Sequence, residues 1–281
     1  MTRRKVGTVS ALFRYPVKSM LGESLADLLL TTNGPLGDRA WAVRESSGRV
    51  ATAKKWPNLL DFCARYDSPP EMSELAPVTI TFPGGGTIHA ADVDASTRLS
   101  EALGRPVHLE RAKADERARA EINPRTIFAD VPVEQIFPGL TSETLPDTFG
   151  LVRGAFFDSA PIHVLASGSL EHMKRLGGGN SILDPRRFRP NIFIDTSVDG
   201  VDDFVEDEWL EGTLEVGEAA NIVAMRPALR CVMTTHAQSS LPRDLSILRT
   251  AAQHHKATLG VFADIGAPGS VRIGDPVFLT K

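Results

Sequence analysis

Alternation of apolar and polar residues dominates the first third of the chain. Lys5 to Phe13 reads as a β-rich opening. "RAWAVRE" (39–45) puts Trp41 and Val43 on one face, "SSG" at 46–48 turns, and "RVATA" returns as its hairpin partner. "VTITF", Pro83, the triplet Gly84 to Gly86 and "TIHA" signal a second hairpin. The period then lengthens: Ser96 to Leu103 carries Leu99, Ala102 and Leu103 on one helical stripe and stops at Gly104. Helical spacing returns in "SGSLEHMKRLGGG" (167–179), which buries Leu170, Met173 and Leu176, with Ser167 or Ser169 as N-cap. It appears again in "LSILRTAAQHH" (245–255). "FFDSAPIHVLA", "FRPNIFID", "WLEGTLEVG", "NIVAMRPALRC" and "VRIGDPVFLT" read as further strands.

Two stretches lack this patterning. "RAKADERARA" (111–120) is charged and Ala-rich, a solvated helix or a linker, and the domain boundary is placed there: 1–115 and 116–281. The segment 121–150 carries Pro124, Pro132, Pro138 and Pro146 with few periodic apolar residues, and reads as an ordered surface loop or a partly mobile segment. The sum is a strand-dominated α+β chain, with barrel-like sheets and attached helices.

Composition narrows the function. Of 281 residues, 42% are hydrophobic and 23% charged, enough apolar material for a core without disulfides. A net charge of −4 gives no basic field for nucleic acid. No apolar run approaches the ~20 residues of a membrane span, and the N-terminus has no signal-peptide core, so no membrane partner and a cytoplasmic location are expected. Cys63 and Cys231 are too few for a four-cysteine zinc or iron–sulfur site.

The candidate chemistry lies at strand–turn junctions. Lys18 and Ser19 follow "RYPV", Arg39 follows two glycines in "GPLGDRAW", Arg187 and Arg189 lie in "RRFRPNI", and Arg230 adjoins Cys231. Short loops bring cationic tips and backbone N–H groups together, which suits a bound anion; taken alone, each cation reads first as an ordinary surface or snorkelling side chain. Cys231 is either a small core hydrophobe or the one soft ligand of a metal centre. Arg230 lowers its thiol pKa only if the guanidinium lies near the sulfur, and neighbours on a strand point to opposite faces. The triplet Gly84 to Gly86 lacks the Lys-Ser/Thr of a phosphate loop and reads as a hairpin tip. "DDFVEDE" (202–208) reads as a solvated loop or a divalent-cation site, and His254-His255 as an exposed helix end.

Taken in order, several segments resemble the MOSC family. "YPVKSMLGE" (15–23) and "GPLGDRAWAV" (34–43) resemble the β-barrel domain found before MOSC domains. "RFRPNIFID", "EDEWLEGTLEVG", "RPALRCVMTT" and "GSVRIGDPV" resemble successive motifs of the MOSC domain. The resemblance implies an N-terminal β-barrel-like domain packed on a C-terminal MOSC barrel, with a molybdenum cofactor between them. It implies Cys231 as the thiolate on molybdenum, and Lys18, Ser19 and Arg39 as holders of the cofactor's phosphate and pterin. Arg189, Asn191 and Arg230 fall on the MOSC side, with Asp158 and Ser167 as further polar lining. The activity implied is reduction of N-hydroxylated compounds, amidoximes and N-hydroxylated bases, by oxygen-atom abstraction at Mo. Without cluster cysteines, the electrons are expected from a separate donor protein. The alternative is a sulfur carrier or cofactor-delivery protein acting through a Cys231 persulfide. Where relatives continue the Arg-Cys motif with Asp-Pro, this chain reads "TTHAQSSLPRD", which marks the substrate-side loop as its own.

Overall fold

A computed structural model describes residues 2–196 and 203–281 of the protein. β1 (Arg3–Arg14) leads into β2 (Glu23–Leu25), β3 (Asp27–Thr31) and β4 (Gly34–Pro35). β5 (Trp41–Glu45), β6 (Cys63–Tyr66), β7 (Val78–Thr81) and β8 (Thr87–His89) follow, then helix α1 (Ala95–Leu103) and β9 (Val107–Arg111). β10 (Arg119–Glu121) and β11 (Thr148–Gly150) flank the short helix α2 (Val133–Ile136). The remainder holds β12 (Ile162–Ala166), α3 (Ser167–Leu176), β13 (Ile192–Asp195), β14 (Thr213–Val216) and β15 (Ala220–Leu229). α4 (Ser246–His255), β16 (Thr258–Ala267), β17 (Gly269–Arg272) and β18 (Pro276–Thr280) complete it.

Seven strands close a barrel in the order β1, β13, β12, β16, β15, β14, β18 and back to β1, which makes the chain strand-dominated as its pattern predicts. β1 therefore belongs to a barrel otherwise built from the last 120 residues. It pairs with β13 through Val9↔Ile194 and Leu12↔Ile192, and with β18 through Arg3↔Thr280. Closure requires close passage: a Cβ at Gly7 would lie 2.4 Å from the Asp195 carbonyl oxygen. The alternating inward residues form one apolar core, including Val9, Leu12, Val164, Ile192, Ile194, Leu214 and Val261. β12 and β13 are parallel, and α3 makes the crossover between them.

A second core gathers Val17, Met20, Trp56, Leu59, Phe62, Ile80 and Leu99 under the small sheets β5–β9 and β6–β7–β8. The chain joins these sheets to the end of β1 by single bridges, Val17↔Trp41 and Leu21↔Cys63. The glycine triplet is the tip between β7 and β8, and all three residues have positive φ.

Several local expectations are corrected. β5 pairs with β9 rather than with the "RVATA" return, which keeps only the bridge Arg44↔Val50. The stretch 111–120 is an extended link whose Ala118 and Ala120 are buried. The proline-rich segment is not a bare surface loop. Ile122, Ile127, Phe128, Val131 and Val133 pack against Leu248 and Ala252 of α4 as a core of their own. Pro breaks periodicity without removing burial, so the pattern hides this core. The N-cap of α3 is Ala166, and no side chain caps it. Of the acidic stretch 202–208, Asp202 lies outside the described residues; residues 205–209 form a short 3₁₀ turn that buries Glu206 and Trp209. His255 is packed rather than exposed, stacked on Phe204 with ring centroids 3.8 Å apart.

Candidate active site

An open cleft forms beside the residues that precede β12 and β13, those that follow β15, and the turns after β1 and β4. Lys18, Ser19 and Arg39 line it from one side, and Asp158, Arg189, Asn191, Arg230 and Cys231 from the other. Ser167 is not among its lining residues. Its hydroxyl lies 3.1 Å from Asp195 Oδ1 and accepts the Thr196 N–H, so it fastens the start of α3 to the end of β13.

The backbone presents the cations by unusual means. Ser19, Arg39 and Arg189 all have positive φ, at 67°, 47° and 57°. For non-glycine residues this conformation costs on the order of 1 kcal/mol or more and persists only where surroundings over-determine it. Here the fasteners are visible. Arg39 N donates to the Tyr15 carbonyl at 2.8 Å, and Arg189 Nη1 donates to the Met20 carbonyl at 2.7 Å. Asp38, buried, accepts from Tyr15 N (2.6 Å) and Asn191 Nδ2 (3.0 Å) and pairs with Arg39. Asn191 thus ties β13 to the turn after β1.

Cys231 and Arg230 both line the cleft although they are neighbours. β15 ends at Leu229, and Cys231 is the extended N-cap of the 3₁₀ turn 232–235, so strict strand alternation no longer separates them. The Cys231 carbonyl accepts from Thr234 N (3.1 Å) and Thr234 Oγ1 (3.0 Å), which fixes the backbone that carries the thiol. Both cysteines are free thiols, and Cys63 lies away from the cleft.

Charge in the cleft is unbalanced. Burial pulls the Lys18 ammonium down to about 8, with Asp158 opposing. Burial, then the nearby Arg39, brings Arg189 down to about 10, and burial brings Arg230 to about 10 against the pull of Cys231 and Asp158. These guanidiniums stay charged at neutral pH while lacking full counter-charge. The Arg189 Nη2 atom is buried with no hydrogen-bond partner. Asp158 is the shared counter-ion. Burial disfavours its charge, but Lys18 and Lys54 (2.6 Å) outweigh that and hold its carboxyl well below the usual range. Burial keeps His163, on the cleft floor, well below its ordinary value and neutral. Gly260 makes room for it, since a Cβ there would come within 2.4 Å of His163 Nε2.

Sequence reasoning missed several of these roles. Lys54 stands in "TAKKW", which carries no motif, and meets Asp158 only through the fold. Arg187, which its motif places with the anion-facing cations, is a fastener. It is 1% exposed and donates to the carbonyls of Ile182 (2.9 Å), Thr234 (3.4 Å), His236 (3.1 Å) and Pro242 (2.6 Å). One guanidinium thereby pins the loop downstream of Cys231.

One closed seven-stranded barrel, a second group of small sheets and a cationic cleft carrying one thiol make up the architecture. The chain belongs to the MOSC family: residues 6–120 match the MOSC N-terminal beta barrel domain and residues 152–278 match the MOSC domain. It is 26% identical to Mitochondrial amidoxime reducing component 2 of Homo sapiens over 299 residues, covering 98% of this chain and 84% of that protein. It is 27% identical to Mitochondrial amidoxime-reducing component 1 of Mus musculus over 321 residues, covering 98% and 83%. Molybdenum cofactor sulfurase of Oryza sativa subsp. japonica is 26% identical over 253 residues, covering 80% of this chain and 28% of that protein. These likenesses support a molybdenum-related, enzymatic role. Among the described residues, no helix is long and apolar enough to cross a membrane.

Proposed function

We propose that this chain is a molybdenum-cofactor-binding oxidoreductase that reduces N-hydroxylated compounds, working in the cytoplasm with a separate electron-donor protein. The observation that carries the reading is the placement of the Cys231 thiol on one cleft with Lys18, Arg39, Arg189 and Arg230. The donor set fits the cofactor. Among the described residues, no group of three or more His, Cys, Asp or Glu side chains is arranged to hold a metal ion. A metal here brings ligands of its own and takes one soft thiolate from the protein. The underneutralised cations of the cleft fit the anionic remainder, a phosphate and a pterin with many acceptors.

When bound, the cofactor supplies the two-electron redox chemistry. Lys18, Ser19 and Arg39 would hold its phosphate and pterin from one side, and Arg189, Asn191 and Arg230 would hold it from the MOSC side. Asp158 keeps Lys18 extended and charged below pH 8. Phe157, Phe188 and Phe262 wall the cleft and limit water. Arg187 fixes the loop 234–243, which borders the thiol and sets the space left for a substrate.

The test is metal analysis and activity of protein made in a cofactor-competent host. Molybdenum near one per chain, with benzamidoxime reduction that Cys231→Ala abolishes, is expected; activity surviving that substitution rejects the assignment. The likeness to the rice sulfurase favours one competing reading, sulfur or cofactor delivery through a Cys231 persulfide. Metal-free protein that releases thiocyanate to cyanide supports that reading instead.

A further inference from the structure

A second cavity, of about 190 Å³, shares a single wall residue with the cleft: Arg189. Phe13, Leu21 and Leu241 give it an apolar lining, and Tyr15, Arg189 and Gln238 a polar one. It draws on the end of β1, the turn after it and the loop that Arg187 pins.

Two wall residues carry donors with nothing to donate to. The Tyr15 hydroxyl and the Arg189 Nη2 are both buried and unpartnered, in side chains that are 3% and 9% exposed. A buried donor left unmade costs about 1–3 kcal/mol, so each gains from an acceptor delivered to the cavity. Burial pushes the Tyr15 phenol up to about 12, which keeps it a donor at neutral pH. The other charges on this wall are already matched. Arg186 is held by Asp184 through two bonds (2.8 and 2.6 Å), and Glu23 by Arg14 at 2.7 Å. Arg189 has no carboxylate at ion-pair distance among the described residues, which leaves one positive charge facing the space.

We propose that this cavity is a second binding site, for a small organic carboxylate with an aromatic or branched aliphatic body. A carboxylate offers two small oxygens that reach recessed donors, and it neutralises one guanidinium. A cavity of about 150 Å³ holds benzene, so this one takes a ring plus a carboxylate. Arg189 lines both spaces, whereas Tyr15, Gln238 and Leu241 belong to this cavity and not to the cleft.

Benzoate is the probe, titrated into the purified full chain by ligand-observed NMR, with benzamide as its uncharged match and phosphate as competitor. Saturable benzoate binding is expected, with benzamide at least about tenfold weaker. Tyr15→Phe, which removes one oxygen and keeps the ring, weakens benzoate about tenfold. Leu241→Trp, which fills the space, removes binding. Phosphate leaves benzoate bound. No saturable binding, unchanged affinity in Tyr15→Phe, or displacement by phosphate overturns the proposal, the last by moving the benzoate into the first cleft.

Discussion

Arg189 holds its guanidinium carbon 4.0 Å from the centroid of the Tyr15 ring, and Arg39 approaches the same ring at 4.7 Å. One neutral aromatic thus serves two cations that repel each other. The arrangement is poised for an anion and is costly without one. Arg189→Gln removes the buried charge and its repulsion. The ligand-free variant is expected to be as stable as the parent, or up to about 2 kcal/mol more stable. Its benzoate affinity should fall about tenfold or more. Chemical denaturation and a benzoate titration check both halves, and a large loss of stability contradicts the prediction.

Lys18 gives the cleft a pH dependence. Its ammonium titrates at about 8 in the folded chain and at 10.5 ordinarily. Below about 8 the charge is present and its burial cost is borne. Between 8 and 10.5 the folded chain gives up a proton that the unfolded chain keeps, so this contribution to stability rises with pH. Anion binding moves the other way, falling as pH passes 8. Sulfate is the suitable probe because its own charge is constant. Lys18→Arg should flatten the profile between pH 7 and 9.

Arg187 is expected to act on the loop rather than on the anion. Arg187→Met leaves four carbonyls without their donor and should cost about 3 kcal/mol in chemical denaturation. If the proposed activity holds, a milder Arg187→Lys should raise KM for benzamidoxime more than it lowers cofactor content. Equal loss of both would place Arg187 in the cofactor cradle instead.

Glu206 is the second titration to look for. Burial pushes its carboxyl up to about 7, against hydrogen bonds from Ser169 and the Ala166 N–H at 2.7 Å that favour the ionised form. An acid raised in this way stabilises fully below about 4.5, and that contribution is lost as pH rises through 7. The size is on the order of 3 kcal/mol. Unfolding free energy measured from pH 5 to 8 should therefore fall less steeply in Glu206→Gln than in the parent.

Much of this architecture is legible in the sequence because it is local. The strands around Phe13, Ile194, Ile222 and Leu279 alternate or run apolar, and α1, α3 and α4 show their stripes. The cleft residues were legible as ordered motifs, and the fold brings Lys18, Ser19, Arg39, Asp158, Arg189, Asn191, Arg230 and Cys231 to one opening. Partners were not legible. Nothing near residue 45 tells β5 to skip its return segment for β9, and nothing in "TAKKW" points Lys54 at Asp158. Glu206 was hidden because an acidic run reads as solvated, whereas its burial depends on β12 and α3. Ser167 reads as site lining from its motif, yet its hydroxyl is taken up by Asp195 and the Thr196 N–H.

The pairing of β1 with β18 also dictates an order of events during synthesis. β1 leaves the ribosome before these partners and meets β13 only after residue 192 and β18 only after residue 276. At about 5–20 residues per second, Arg3–Arg14 waits on the order of ten seconds or more with only its last residues paired, to β2. Its apolar face, with Val9 and Leu12, must be sheltered meanwhile or it pairs with a neighbouring chain. The barrel is therefore a late and all-or-none event, and a nascent chain stopped before β18 should be a client of chaperones rather than half of a working protein.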